Sequence, residues 1–226
     1  MFIGHYGISL GAKPYRPRLS LGVLFLAVQF LDVVFSILVL LGVEKLRIVP
    51  GFTAYNPYDL YWMPYSHSLV GALGWSVLFG AGGWLWLRRS PVRERSASAI
   101  VLAAAVFSHF LLDVPMHTPD LPLTLAGESA KIGFGLWNHP VIATACELAV
   151  LVAGGALALR GSRPRTRGAA IATAVFGLIL VLLTVATRFM PAPPSAPAFA
   201  VQALASYLVL AGAAEWIDRK REWRAG

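Results

Sequence analysis

The stretch SHFLLDVPMHTPD, residues 108–120, gathers imidazole and carboxylate groups in a chain that has few of either. It contains two of the five histidines and two of the eleven acidic residues. His109 and Asp113 are four residues apart, a spacing that places two side chains on the same face of a helix. Such a pair could bind a divalent metal ion, or it could be a hydrogen-bonded pair that only supports the structure. His117 and Asp120 follow, so the stretch is predicted to form one wall of a site.

The rest of the chain has the composition of a membrane protein. Of its 226 residues, 57% are hydrophobic and 13% are charged, and several apolar stretches reach the roughly 20 residues that a membrane-spanning helix needs. We predict an all-α, polytopic helix bundle, because an open strand cannot satisfy its backbone groups in lipid. The whole chain, 1–226, is expected to form one transmembrane domain whose first helix is kept as an anchor. About six spans are predicted, near residues 19–43, 67–87, 97–114, 140–159, 169–189 and 199–217.

The basic residues predict how the bundle is oriented. Fifteen of the 19 Lys and Arg residues fall in the N-terminal segment, the loops after the second and fourth predicted spans, and the C-terminal segment. Cytoplasmic loops collect Lys and Arg, so both termini are predicted to be cytoplasmic and the loop near Gly127 external. A bacterial inner membrane, with its anionic lipid headgroups, is the expected location. Membrane lipids therefore account for the net charge of +8, and no nucleic-acid partner is expected.

Three ionisable residues on different spans are predicted to lie at the same depth in the membrane. Asp32, His109 and Glu147 are each 13 or 14 residues from a basic residue at the cytoplasmic end of their span, which is roughly 20 Å along a helix. Asp113 lies one turn further out. An ionisable group at such depth is costly and usually marks a functional or paired site that faces the bundle interior. We therefore expect these four side chains to meet.

Further histidines and aspartates are predicted to border this site from the external side. They are Asp59, His67, His117, Asp120 and His139. His5 is different, because it precedes the first span on the cytoplasmic side. The segment 2–12 is apolar and is followed by the turn KPYRPR, so it could fold back into the bundle as a half-helix and lift His5 towards the site. Both a ligand role and a packing role stay open for His5.

The residue types limit the chemistry of such a site. Mixed imidazole and carboxylate ligands suit zinc, iron or manganese, and zinc is the ion that we expect. An ion of this kind can activate water to attack a carbonyl or phosphoryl group. The same side chains could instead relay a proton or a cation through the membrane. The single cysteine, Cys146, lies in an apolar run and is interpreted as a packing residue.

Four stretches and a later glutamate resemble a known family in order and spacing. The stretches are GHYGISLGAKPYRPRLSLGVLFLAVQFLD, PYSHSLVGAL, SHFLLDVPMHTPDLPL and KIGFGLWNHP, and the glutamate is Glu147. They resemble bacterial inner-membrane proteins described as membrane-bound metal-dependent hydrolases, over roughly residues 1–160. The resemblance implies site residues at His5, Asp32, His67, His109, Asp113 and His117. A more distant similarity is to zinc-dependent phospholipases C. The chain departs from them four residues after His139, where Ala143 stands in place of the expected acidic residue.

These observations support three hypotheses. The first is an outward-facing, metal-dependent hydrolase that acts on an ester or a phosphoester, such as that of a lipid. Its metal ligands would be Asp32, His67, His109 and Asp113, with Glu147 or His117 as the base, and with His5, Asp120, His139 and Asp59 as possible additions. The second is a proton- or cation-coupled transporter or channel. The third is a metal-binding or structural membrane protein without turnover.

Two further expectations concern the spans themselves. Broken helices or paired half-repeats are typical of many transporters, and the sequence shows no sign of either. The first span is therefore expected to be continuous. The site is expected within residues 1–160, and the last two spans, within residues 169–217, are interpreted as scaffold.

Overall fold

The fold, described from a computed structural model, is helical, as the sequence predicts. It is described for residues 1–126 and 129–224, so the predicted external position Gly127 lies outside the described residues. Eight helices are found in these ranges. They are α1 (His5–Ala12), α2 (Leu21–Val28), α3 (Phe30–Leu40), α4 (Leu69–Trp86), α5 (Val92–Met116), α6 (Pro140–Arg160), α7 (Arg167–Ala186) and α8 (Ala196–Asp218).

Short antiparallel strand pairs join some of the helices at their ends. β1 (Lys45–Ile48) pairs with β2 (Tyr58–Trp62) in the long connection from α3 to α4. β3 (Leu121–Pro122) pairs with β4 (Lys131–Ile132) between α5 and α6. β5 (Ser162–Pro164) pairs with β6 (Arg221–Trp223), and this pairing holds the chain after α8 against the turn between α6 and α7.

Five helices, α4 to α8, are each long and apolar enough to cross a membrane, and α2 with α3 forms a sixth span if the bent pair is counted as one. These six segments coincide with the six predicted spans to within a few residues at most ends. Their outward faces carry large apolar side chains, such as Ile171, Leu178 and Leu182 on α7, each more than half exposed. Apolar side chains at such positions are suited to lipid and not to water.

The first span is broken, and the expectation of a continuous helix is wrong. The axes of α2 and α3 differ in direction by 59°. Gln29 lies between them, with backbone angles of φ −102° and ψ 8° that leave the helical region. Its buried side chain donates a hydrogen bond to the carbonyl oxygen of Phe2 at 3.2 Å. The span contains no proline or polar cluster that would reveal the break, because the partner of Gln29 comes from another segment.

The N-terminal segment folds back into the bundle as the half-helix α1. It packs against α6, where Gly7 and Gly154 allow the two backbones to touch. A methyl group added at Gly154 would lie 1.8 Å from the carbonyl oxygen of Gly7, and one added at Gly7 would lie 2.2 Å from that of Val150. Small residues permit this close approach of helices. The fold-back that the sequence left open is therefore present, and the first residue of α1, His5, is completely buried.

The turn after α1 is fixed by Lys13, which is buried. Its ammonium group donates to the carbonyl oxygen of Leu19 at 2.5 Å and to Asp218 Oδ2 at 2.8 Å. Burial lowers the pKa of Lys13, while the ion pair with Asp218 opposes this effect. Asp218 also accepts hydrogen bonds from the backbone N–H of Leu21 and from the indole of Trp223. This set of contacts ties α1, α2 and α8 together at one end of the bundle.

Candidate metal centre

Four elements bring six ionisable side chains into one buried cluster. It contains His5 from α1, Asp32 from α3, His67 from the segment before α4, His109 and Asp113 from α5, and His117 directly after α5. The residues other than Asp32 are at most 3% exposed, whereas the Asp32 side chain is 19% exposed. The cluster is therefore closed on most sides and is accessible at Asp32.

Asp113 lies at the centre of the cluster. Its Oδ2 is 3.1 Å from His109 Nε2, 3.6 Å from His117 Nε2 and 3.9 Å from His67 Nε2. Its Oδ1 is 3.3 Å from His5 Nε2. The two oxygens of one carboxylate thus point to different histidines, with the His109 and His117 contacts following from the four-residue spacing on α5.

Asp32 supplies the second central carboxylate. Its Oδ1 is 3.3 Å from His67 Nε2 and 3.6 Å from His109 Nε2. The residue lies in the first turn of α3, where the positive end of the helix dipole favours a negative charge. Its Oδ2 accepts a hydrogen bond from the hydroxyl of Tyr207 on α8 at 3.1 Å. The break in the first span therefore creates the helix start that carries Asp32.

The same break also orients His109. The carbonyl group of Val28, in the last turn of α2, has no partner further along that helix. It lies 2.6 Å from His109 Nδ1. Because a carbonyl oxygen can only accept a hydrogen bond, Nδ1 carries a proton and Nε2 faces Asp32 and Asp113.

His67 is oriented by a buried hydrogen-bond chain. Its Nδ1 is 2.7 Å from Ser66 Oγ, which donates to Glu44 Oε2 at 2.5 Å. Glu44 Oε1 accepts the backbone N–H groups of Tyr65 and Ser66 at 2.8 and 2.9 Å. Since the Ser66 proton is used on Glu44, the Ser66 oxygen accepts from His67 Nδ1, and Nε2 again faces the cluster.

His117 repeats this arrangement. Its Nδ1 donates to Asp120 Oδ1 at 2.8 Å, and Asp120 Oδ2 accepts the hydroxyl of Thr118 at 3.0 Å. Its ring packs against Trp137, with 4.1 Å between ring centroids. Three histidines therefore share one pattern, in which an acceptor holds the protonated Nδ1 and Nε2 points inward. Metal-ligating histidines are typically held in this way.

Two of the buried imidazoles have ring nitrogens without a hydrogen bond. They are Nε2 of His109 and both nitrogens of His5. His109 Nε2 is nevertheless only 3.1 Å from Asp113 Oδ2, and His5 Nε2 is 3.3 Å from Asp113 Oδ1. Buried polar atoms normally have partners. A proton on the imidazole, or a metal ion between the imidazole and the carboxylate, would provide one.

The described residues contain two groups of three side chains whose ligand atoms all lie within 4.8 Å of one another. One group is His5, His109 and Asp113, and the other is Asp32, His67 and His109. The donors are imidazole nitrogens and carboxylate oxygens, as in the predicted set. These buried groups could hold a metal ion, and their chemistry fits a borderline ion such as zinc.

Glu147 is predicted to act as a base or a ligand. It is buried beside the N-terminal segment of the chain, next to the cluster. Its Oε2 accepts the backbone N–H groups of Phe2 and Gly4 at 3.2 and 3.1 Å, and its Oε1 accepts the hydroxyl of Tyr55 at 3.3 Å. Burial raises the pKa of Tyr55 to about 12, with a further contribution from Glu147, so this hydroxyl stays protonated. The amino group of Met1 lies nearby, 2.5 Å from Asp113 Oδ1.

The remaining predicted residues lie outside the cluster or behind it. Asp59 is on β2, where it pairs with Arg47 of β1 at 2.5 Å. His139 is exposed at the start of α6. Asp120 lies behind His117 as its hydrogen-bond partner. Among the described residues, the cluster thus joins the half-helix residue His5 to the five other positions implied by the family resemblance.

Sequence reasoning missed Glu44 and Tyr207. Glu44 is next to Lys45 at the end of a span and has the appearance of an ordinary loop acid, yet it is 1% exposed. Since Lys45 and Arg47 follow it, the local sequence gives no signal of this burial. Tyr207 lies on a helix interpreted as scaffold, and one hydroxyl in an apolar span gives no signal of its contact with Asp32.

Comparisons of the chain with models of protein families, with curated proteins and with solved structures give no match. No relative therefore assigns an activity or a ligand set. The function has to be inferred from the geometry of the cluster.

Proposed function

We propose that this protein is a membrane-embedded, metal-dependent hydrolase. One observation carries the proposal, which is the convergence of three oriented Nε2 atoms on the carboxylates of Asp32 and Asp113 inside the bundle. The side chains that would hold a divalent ion are Asp32, His67, His109 and Asp113. Zinc suits this donor set best, and iron or manganese are the alternatives.

The chemistry expected at this site follows from its donors. A bound divalent ion supplies Lewis-acid polarisation of a carbonyl or phosphoryl oxygen and makes water a better nucleophile. His117 is the best-placed general base, because Asp120 holds its Nδ1 proton and directs Nε2 towards the cluster. Glu147 is the second candidate, although its oxygens already accept three hydrogen bonds.

The position of the site supports a lipid ester or phosphoester as the substrate class. Asp32, the accessible member of the cluster, lies on a helix within the apolar bundle. A water-soluble substrate would have to leave water to reach it, whereas a lipid is already in the surrounding phase. The resemblance to membrane-bound metal-dependent hydrolases supports the same class.

A cation- or proton-coupled transporter is the second candidate, and the broken span favours it. Discontinuous helices whose ends face an ion site are typical of secondary transporters. Here the end of α2 and the start of α3 both contribute to the cluster. Ion flux into proteoliposomes that depends on Glu147 and Asp113, without hydrolysis of any ester or phosphoester tested, would replace the hydrolase by a transporter.

The hydrolase is tested by replacing its central carboxylate. Asp113→Asn keeps the size of the side chain but removes the charge that a metal ion requires. We expect detergent-purified protein to contain zinc, iron or manganese, and the variant to lose both the metal and hydrolysis of a panel of lipid esters and phosphoesters. The loss should exceed about 100-fold, since removal of an orienting partner alone costs about 10- to 100-fold.

Asp59→Asn is the matched control for this experiment. It makes the same chemical change in the β1–β2 hairpin, where the ion pair with Arg47 is exposed and contributes little to stability. Metal content and turnover should be unchanged in this variant. Wild-type protein without a transition metal, or Asp113→Asn with full metal content, contradicts the proposal.

A further inference from the structure

We propose that a groove between α4 and α5 binds a phospholipid with a negatively charged headgroup, such as phosphatidylglycerol. The lipid phosphate would contact arginines at one end of the groove, and an acyl chain would lie along it. This site is separate from the metal cluster, since Arg95 and His109 are 14 residues apart on α5, or about 20 Å. The bound lipid would therefore not be the substrate of the proposed hydrolase.

The α4–α5 groove is apolar and lies on the outer surface of the bundle. Its volume is about 410 Å³, and it is lined by Val77, Gly80, Ala81 and Trp84 of α4 and by Ser96, Ala99, Ile100 and Ala103 of α5. Val77 and Ile100, which are 67% and 68% exposed, border it. At Gly80 the two helices touch, because a methyl group added there would lie 2.9 Å from the carbonyl oxygen of Ala99. Small residues between larger apolar side chains leave a space that an acyl chain can fill with van der Waals contacts.

A basic cluster lies at the Trp84 end of this groove. It consists of Arg88 and Arg89, directly after α4, and of Arg93 and Arg95, in the first turns of α5. The guanidinium group of Arg95 stacks on the Trp84 ring, with 3.2 Å between its central carbon and the ring centroid. Its Nε is buried and has no hydrogen-bond partner among the described residues. Arg95 therefore joins the basic cluster to the groove.

The positive charge of the basic cluster is not compensated by the protein. Within residues 1–126 and 129–224, the ion pairs of Lys and Arg involve other residues than these four arginines. Glu94, the acid between Arg93 and Arg95, pairs with Arg18. No side chain caps the first turn of α5, whose backbone N–H groups also favour an anion. Basic sites between membrane helices at the headgroup level are suited to anionic lipids.

The same charges argue against other occupants. Two copies of the chain that met through this face in one membrane would bring their basic clusters together, because a twofold interface places the same surface on both sides. Like charges would then repel each other. A zwitterionic phospholipid would add its own ammonium group to a region where Glu94 is already paired. An anionic phospholipid matches both the arginines and the apolar groove.

The headgroup preference is tested on the full chain. Binding of dioleoylphosphatidylglycerol and of dioleoylphosphatidylcholine to detergent-purified protein is measured by native mass spectrometry. These lipids have the same acyl chains and differ in headgroup charge, so the comparison in wild type needs no variant. We expect the first phosphatidylglycerol molecule to bind at least about fivefold more tightly than the first phosphatidylcholine molecule, the effect of one basic residue at a membrane surface.

The role of Arg95 is tested by substitution. Arg95→Gln should weaken phosphatidylglycerol binding about fivefold and leave phosphatidylcholine binding unchanged. Arg163→Gln is the matched control, because it removes the same charge from an exposed arginine on β5, in another of the basic loops. This control should bind both lipids as wild type does.

The apolar part of the site is tested separately. Ala81→Phe fills the groove, whereas Ala104→Phe makes the same change at an exposed position of α5 that does not line it. We expect Ala81→Phe to weaken the binding of both lipids and Ala104→Phe to weaken neither. Thermal unfolding without lipid shows whether each variant remains folded. Addition of phosphatidylglycerol should raise the midpoint of wild type, since a ligand of the native state stabilises it.

Each contrary result overturns a stated part of the proposal. Equal affinities of wild type for the two lipids refute the preference for an anionic headgroup. Equal losses in Arg95→Gln and Arg163→Gln show that only the general surface charge attracts the lipid. Unchanged binding in folded Ala81→Phe excludes the groove. Displacement of the lipid by inorganic phosphate at the same concentration shows a free-anion site in place of a lipid site.

Discussion

At the scale of single residues, the hydrogen bond on each Nδ1 decides what its histidine can do. The acceptors are a backbone carbonyl oxygen for His109, a serine hydroxyl backed by Glu44 for His67, and a carboxylate for His117. Each acceptor fixes the proton on Nδ1 and the direction in which Nε2 points. These partners are therefore as much a part of the candidate site as the atoms that face its centre.

Glu44→Gln should weaken metal binding without touching a ligand. The glutamine amide group can donate a hydrogen bond to the Ser66 oxygen, whereas the Glu44 carboxylate can only accept one. The Ser66 oxygen would then no longer be a fixed acceptor for His67 Nδ1. We expect the affinity for Zn(II), measured by competition with a chromophoric chelator, to fall about 10- to 100-fold. Glu222→Gln, which changes an exposed acid paired with Arg165, is the control. A folded Glu44→Gln variant with wild-type affinity would exclude this positioning role.

At the scale of elements, the half-helix α1 determines whether His5 can reach the cluster. His5 is its first residue, and the contact of Gly7 with Gly154 on α6 sets the distance of the whole helix from the bundle. A shift of α1 would change the 3.3 Å distance between His5 Nε2 and Asp113 Oδ1. Packing between α1 and α6 is therefore linked to the geometry of the site.

Gly154→Ala should destabilise the protein and impair the site together. The added methyl group would lie 1.8 Å from the carbonyl oxygen of Gly7, so α1 has to move, at a cost of about 1–3 kcal/mol for an overpacked contact. We expect a lower thermal midpoint in detergent and weaker metal binding. Gly155→Ala is the matched control, since a methyl group there meets no atom within 4 Å in the described residues. Equal effects of the two substitutions would contradict the α1–α6 contact.

The helices could be predicted from sequence, but the contacts between them could not. Hydropathy and length are local properties, and they place the six spans and the half-helix within a few residues of their observed bounds. The break at Gln29 depends on Phe2, and the role of Glu44 depends on Ser66, so each needs a partner distant in sequence. His109 and Asp113 could be found because their spacing on one helix is itself local.

At the scale of the whole molecule, the distribution of basic residues predicts the orientation in the membrane. Fifteen of the 19 Lys and Arg residues lie in the two terminal segments and in the loops that follow α4 and α6 or the helix ends beside those loops. The positive-inside rule then predicts that both termini are cytoplasmic. In a bacterial inner membrane, the β1–β2 and β3–β4 hairpins would be on the external side.

Reporter fusions test this orientation directly. A reporter that works only in the cytoplasm should be active when it is attached to the C-terminus. A reporter that works only outside the cytoplasm should be active when it is inserted after Leu125. The reason is that reversing the chain would move fifteen basic residues across the membrane in exchange for four. An external C-terminus would reverse the proposed orientation and place the hairpins in the cytoplasm.

The bend at Gln29 has a consequence for the energetics of the metal centre. The Val28 carbonyl oxygen is available to His109 only while α2 and α3 diverge, because a continuous helix would pair it with the amide of Asp32, four residues on. If an ion binds at His109, its binding is thermodynamically coupled to the bending of the first span. Coupling of this kind is reciprocal, so the ion would stiffen the bend by as much free energy as the bend contributes to holding the ion.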